Sequence, residues 1–273
     1  MKSKSSALYF IYLWLFLFGF VPLCMVLAAS VLSKNATNLI DLPFTLMHYK
    51  AFFSSLMAHV MLRSLLMAAL TTLACLVLAY PFSYLMVRSK HQSLLLLLII
   101  IPFWTSSLVR TYALVAILKF NGLLNVILLK LHLITTPLSL LYSNFAVLSG
   151  LIYTLFPFMV LPLYTNMERF DFHLLEAGED LGANRWALFT RIFLPNTRRG
   201  IVSGVILVFL PAMTLFYIPN VLGGARSILI GNLIQNQFLV AENWPAGAAT
   251  SVLLTLILLC LLFIFRKPRE IRQ

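Results

Sequence analysis

Long apolar runs alternate with short polar stretches along the whole chain. A helix needs about 20 mostly apolar residues to cross the hydrocarbon of a bilayer, and six runs reach that length. They extend approximately over 7–32, 62–87, 94–118, 144–164, 200–222 and 247–265. Each is predicted to be a helix, because lipid offers no water to satisfy exposed backbone N–H and C=O groups. The expected fold is all-α and integral to the membrane, with six transmembrane helices in a single domain over 1–273.

The first run follows Lys2 and Lys4 and superficially resembles a signal peptide. At about 26 residues it exceeds the usual apolar region of such a leader, about 7–15 residues, so it reads as a retained anchor. Val21-Pro22-Leu23-Cys24 is a poor lipoprotein site, since the residue before the Cys is not small. Prolines interrupt several runs, among them Pro102 in the third, Pro157 and Pro162 in the fourth, Pro211 and Pro219 in the fifth. Each removes a donor and kinks its helix, which suits either a packing kink or a gate beside a cavity. The segment 33–61 contains a strand or turn text at Asp41-Leu42-Pro43-Phe44-Thr45. Those at 120–142 and 223–246 read as short helices or re-entrant pieces at the outer mouth.

Composition agrees with the pattern: 61% of residues are hydrophobic and 10% charged, more apolar surface than a globular core of this length uses. The net charge of +12 does not indicate nucleic acid, because the basic residues cluster beside the apolar runs, where membrane topology places them. Lys2, Lys4, Arg88, Lys90, Arg169, Arg185, Arg191, Arg198, Arg199, Arg266, Lys267, Arg269 and Arg272 fall on one side. Lys34, Lys50, Lys119, Lys130 and Arg226 fall on the other, so both termini are expected in the cytoplasm.

The chemistry that is missing narrows the function. Cys24, Cys75 and Cys260 sit in apolar runs without metal-ligand spacing, and the five His are scattered singly, so no metal site is indicated. Asp41, Glu168, Asp171, Glu176, Glu179, Asp180, Glu242 and Glu270 all lie outside the six runs. A transporter that couples to its own ion normally keeps a carboxylate within the membrane. There is no phosphate-binding GxxxxGK[ST] loop, and Ser203 has no intramembrane His as its base. Gly200 and Gly204 instead suit a helix-packing face. The chain is expected to be no enzyme and to bind no cofactor itself.

One polar stretch, 168–198, is too charged to span. Asp171 suits the cap of a helix starting at Phe172, and Gly182 supplies the left-handed residue that ends it. A second helix is predicted to begin after Asn184 and to stop before Pro195. In the first, His173, Glu176, Glu179 and Asp180 form a polar face opposite Leu174, Leu175, Gly178 and Leu181. In the second, Trp186, Phe189 and Phe193 with Leu188 and Ile192 form a face expected to bury against the ends of the spans.

Glu176-Ala177-Gly178, three residues, Gly182, nine residues, then Ile192-Phe193-Leu194-Pro195 resembles the EAA loop of ABC importer permeases. Gly178 replaces the usual Ala. The resemblance implies the type I importer permease fold, with a cytoplasmic coupling helix between the fourth and fifth spans that docks into an ATPase. It implies that Glu176, Ala177, Gly178, Asp180 and Gly182 belong to the docking loop and that Ile192, Leu194 and Pro195 support the return to the membrane. ATP and Mg would then be used by that ATPase, in two copies. A second permease subunit, completing a heterodimer, and a periplasmic substrate-binding protein would complete the machine in the bacterial inner membrane.

The stretches 101–112, 229–238 and 243–249 are similar to the spermidine/putrescine permease family, first subunit type, whose relatives also serve opines, phosphonates and other small solutes. A polyamine suits aromatic faces, which attract cations and pack methylenes. Phe103, Trp104, Tyr112, Tyr153, Phe156, Phe216 and Tyr217 are candidates for such a path, and equally suit packing or interfacial anchoring. Arg110, expected near the outer end of its span, opposes a cationic cargo unless it reaches water or a partner subunit, and favours an anionic one. A membrane scaffold recruiting a partner other than an ATPase is the alternative of a different class.

Overall fold

The structure, a computed structural model, describes residues 11–34, 42, 44–224 and 227–266, with side chains through Phe263. Lys2, Lys4, Asp41, Pro43, Arg226, Lys267, Arg269, Glu270 and Arg272 lie outside them, and with them part of the charge count and of the 41–45 text.

Helices account for the fold of the described residues: α1 Ile11–Ala29, α2 Met47–Phe52, α3 Ser55–Arg88, α4 Gln92–Ile100, α5 Ser107–Leu118, α6 Leu123–Lys130, α7 Asn144–Glu168, α8 His173–Asp180, α9 Arg185–Thr214, α10 Ile230–Leu239 and α11 Trp244–Arg266. Among the described residues, six stretches are long and apolar enough to cross a membrane: Ile11–Ala29, Ser55–Arg88, Ser107–Lys130, Asn144–Glu168, Arg185–Thr214 and Trp244–Phe263. Gln92–Trp104 is a shorter apolar helix. The contacts divide the chain into two compact units, Met1–Met61 with Leu233–Gln273, and Leu62–Asn232.

In the first unit α11 packs on α1 and α2. The hydroxyls of Ser30 and Tyr49 hydrogen-bond at 2.7 Å, and Lys34 Nζ donates to the Ala241 carbonyl at 2.7 Å. Gly247 lies against the Phe238 ring, which meets Trp244 edge-on at 6.1 Å.

The second unit is built around α7. Val147, Leu151, Leu155, Met159, Leu163 and Met167 recur every four residues and are fully buried, one continuous helical stripe. Small residues of α3, among them Ala68, Cys75, Ala79 and Ser83, are also fully buried, and Ser83 Oγ donates to the Val160 carbonyl at 3.4 Å. Close approach of α9 to α7 explains Gly200 and Gly204. A Cβ at Gly204 would meet Met159 Sδ at 2.6 Å, and one at Gly200 would meet Asn166 Cβ at 2.8 Å.

The third run is not the single helix drawn over 94–118. α4 passes into a tight turn at Ile101–Trp104, Thr105 is extended, and α5 starts at Ser107. Pro102 supplies the cause: it starts a 3₁₀ turn, and both the amide and the hydroxyl of Thr105 bond back to its carbonyl. Nor does the helix after Asn184 stop before Pro195. It continues as α9, because the wide π-helical stretch Leu188–Phe193 spreads the turn where Pro195 would otherwise crowd the Arg191 carbonyl. α9 ends at Thr214, short of the 222 expected, and Leu215 is extended before a second wide turn at Pro219–Gly223.

Candidate functional site

The polar stretch forms a helix-turn-helix. Asp171 Oδ1 accepts from the His173 amide at 3.0 Å at the start of α8, and Asn184 Oδ1 accepts from Ala187 at 2.7 Å at the start of α9. Between them Gly182 has φ +79°. Its amide donates to Glu179 and that of Ala183 to Gly178, closing the carbonyls of the last turn in a Schellman-type stop.

Phe193 is the hub beneath this turn. Only 4% exposed, it meets Tyr84 edge-on at 5.3 Å and Phe170 at 5.1 Å, with Tyr80 at 6.0 Å. Such edge-to-face pairs add to plain burial. Arg88, the last residue of α3, donates to Tyr84 Oη at 2.9 Å and lies over the Tyr84 and Phe172 rings at 5.8 and 5.7 Å. The end of α3 is thereby clipped to the start of α8. A cleft of about 790 Å³ lies between α3, α8 and α9, lined by Tyr80, Arg88, Glu176, Glu179, Arg185 and Phe189 among others.

Gly178 is buried against α9: a Cβ there would meet Leu188 Cδ2 at 2.5 Å and Ile192 Cδ1 at 2.9 Å. The departure from Ala thus coincides with a closer packing of α8 on α9. Glu176 Oε2 lies 3.0 Å from His173 Nδ1. That hydrogen bond, with the charges of Glu176 and Asp171, raises the His173 pKa above its ordinary 6.5.

The structure brings Gly178 to Ile192 and Glu176 to the cleft, while Ala177, Asp180 and Gly182 lie exposed on the free side of the motif. Leu194 is half-buried and Pro195 exposed. One expectation needs correction. Trp186 does not bury against the spans but is 73% exposed. Leu174 and Leu181, on the apolar side of α8, are exposed too. α8 is only eight residues long and touches α9 where Gly178 admits it, so its apolar face is not covered as a whole. Tyr80 and Tyr84 were not among the residues picked from the sequence, and Arg88 entered only the charge count; their four-residue spacing at the end of a span was the available signal.

The candidate pathway residues divide into two groups. Arg110 lies in the first turn of α5, just beyond the break, over Phe103 at 5.3 Å and Tyr153 at 6.0 Å. Its Nε is buried without a hydrogen-bond partner. Phe103 meets Phe158 at 5.3 Å, and Phe156 meets Phe82 at 5.8 Å. The hydroxyl of Tyr217 bonds to that of Ser107, joining the α5 break to the break after α9, and Phe216 stands edge-on to Tyr217 at 6.3 Å. Trp104 and Tyr112 are 84% and 61% exposed.

A chain of six candidate crossing helices, broken beside aromatic side chains and carrying a capped helix-turn-helix, has the construction of a membrane transport subunit. It belongs to the family of binding-protein-dependent transport system inner membrane components, which residues 76–267 match, and is a multi-pass inner-membrane protein. Among its relatives is the spermidine/putrescine transport system permease protein PotB of Escherichia coli, 46% identical over 263 residues, covering 95% of this chain and 96% of that protein. Another is the PotB of Haemophilus influenzae, 40% identical over 272 residues, covering 99% and 95%. The fold is that of ABC importer permeases: a chain of a bacterial alginate ABC transporter aligns with a TM-score of 0.79 at 15% identity, covering 97% of this chain and 92% of that one.

Proposed function

We propose that this chain is one permease half of an ATP-driven importer that carries spermidine and putrescine across the bacterial inner membrane by alternating access. The observation that carries the cargo is similarity over almost the whole chain to two permeases named for those polyamines. Arg88, Lys90, Arg169, Arg185, Arg191, Arg198 and Arg199 all belong to the segments that flank or form the helix-turn-helix, which supports a cytoplasmic placement of that end and of both termini. There α8 and its turn, with Glu176, Ala177, Gly178, Asp180 and Gly182, dock a cytoplasmic ATPase in two copies, which uses ATP and Mg. Closure of the ATPases pulls on α8. The motion passes through Phe193 and Arg88 to α3 and through α9 to the breaks beside Phe103, Trp104, Tyr112, Phe156, Phe216 and Tyr217. A periplasmic binding protein loads the cargo, and a second, different permease completes the path. With Arg110 held over Phe103 and Tyr153, its charge is partly occupied by ring faces.

Competition uptake in cells carrying the complete transporter tests the cargo. Excess spermidine and putrescine are expected to abolish uptake of each other's labelled form, whereas opines and phosphonates leave it unchanged. Inhibition by those anions alone would instead assign Arg110 to an anionic cargo.

A further inference from the structure

The cleft of about 790 Å³ behind α8 is lined by charges of both signs and by aromatic rings. Arg88 and Arg185 contribute two guanidinium groups, Glu176 and Glu179 two carboxylates. Arg88 from the end of α3 and Arg185 from the start of α9 oppose a polycation, and the carboxylates of α8 oppose a bare anion. A zwitterion satisfies both sets. Arginine is suited to phosphate and a carboxylate to an ammonium group.

The cleft is also continuous with an apolar surface. Pro81 is exposed and lines it, on the same side of α3 as the exposed Val77, Leu78 and Leu85. Tyr80 and Phe189 add ring faces inside it, and Trp186, exposed beside Phe189 at 5.9 Å, has the amphipathic ring that favours a membrane interface. Charges at the end of a span with an apolar stripe running away from them match a phospholipid in outline, headgroup toward the charges and chain along the stripe.

We propose that the cleft holds an aminophospholipid, with its phosphate at Arg88 and Arg185, its ammonium at Glu179, and its acyl chain leaving past Pro81. The lipid then fills the joint between α3 and α8, and the permease carries a site for phosphatidylethanolamine rather than phosphatidylglycerol. This placement rests on the orientation proposed above, which sets the cleft at the cytoplasmic interface.

The test is lipid retention by the complete transporter, purified in mild detergent from membranes containing both lipids and analysed by native mass spectrometry. Wild type is expected to retain phosphatidylethanolamine selectively. Glu179→Ala should lower the preference for it over phosphatidylglycerol about tenfold, the scale of one charge-assisted contact, and Arg185→Ala should weaken retention of both. Leu66→Ala, an exposed apolar position on α3, should change nothing. Co-purification of the ATPase checks that each variant is folded, and a photoactivatable phosphatidylethanolamine should label the segments around Tyr80 and Phe189. Equal retention of the two lipids by wild type, indifference to Glu179→Ala and Arg185→Ala, or release of the lipid when the ATPase is bound would each overturn the proposal. The last outcome would give the cleft to a protein side chain. Retention requires no uptake, so failure of the cargo reading leaves this result intact, and the converse holds.

Discussion

Two glycines four residues apart do different work in α8 and its turn. At Gly182 the backbone is left-handed, φ +79°, and no atom lies within 4 Å of where a Cβ would stand. A substitution there meets strain alone, about 1–2 kcal/mol for an L-residue, and more for a β-branched one. Gly182→Val is therefore expected to weaken co-purification of the ATPase while membrane insertion stays normal, and Gly182→Asn to do so less. Gly178 is the reverse case, an ordinary helical position whose space is filled by Leu188 and Ile192. Both obstructing atoms are ends of flexible side chains, so Gly178→Ala should be tolerated and Gly178→Leu should lift α8 from α9, seen as faster hydrogen exchange over 173–180. His173 offers a titration. Its raised pKa means that the His173–Glu176 link is fully present below about 6.5 and is lost as pH rises through the raised value. NMR should find the imidazole titrating above 6.5, and Glu176→Gln should move it back down.

At the scale of elements, the runs, the capping residues Asp171 and Asn184 and the stop at Gly182 were legible because each is local. The breaks were less so. Proline marked them, but whether a proline bends, breaks or is absorbed depends on its surroundings: Pro157 and Pro162 sit inside α7, Pro102 starts a tight turn, and Pro195 is taken up by a π stretch. The site was half legible for the same reason. Periodicity placed Phe193 on an apolar face correctly and Trp186 incorrectly, since it gives the face but not how far the neighbour extends. Tyr80, Tyr84 and Arg88 come from a helix about one hundred residues earlier, and only folding brings them to Phe193. Because Phe193 joins α3, α9 and the approach to α8, Phe193→Ala should cost about 3–5 kcal/mol, read as a lowered unfolding midpoint in detergent. Phe193→Leu should cost less.

For the whole molecule, the described acidic residues lie at or beyond the ends of the candidate crossing helices, so among the described residues no carboxylate stands in the middle of a crossing helix, where a self-coupled transporter normally keeps one. On the proposed account, work reaches the breaks near Ser107 and Tyr217 only from the helix-turn-helix, through two routes that share Phe193. The most direct measurement is uptake of labelled spermidine into proteoliposomes of the complete transporter with ATP on the ATPase side, comparing wild type with Gly182→Val. The account predicts ATP-dependent accumulation by wild type and loss of both accumulation and stable ATPase attachment in the variant. Equal, ATP-dependent uptake by the two would contradict it.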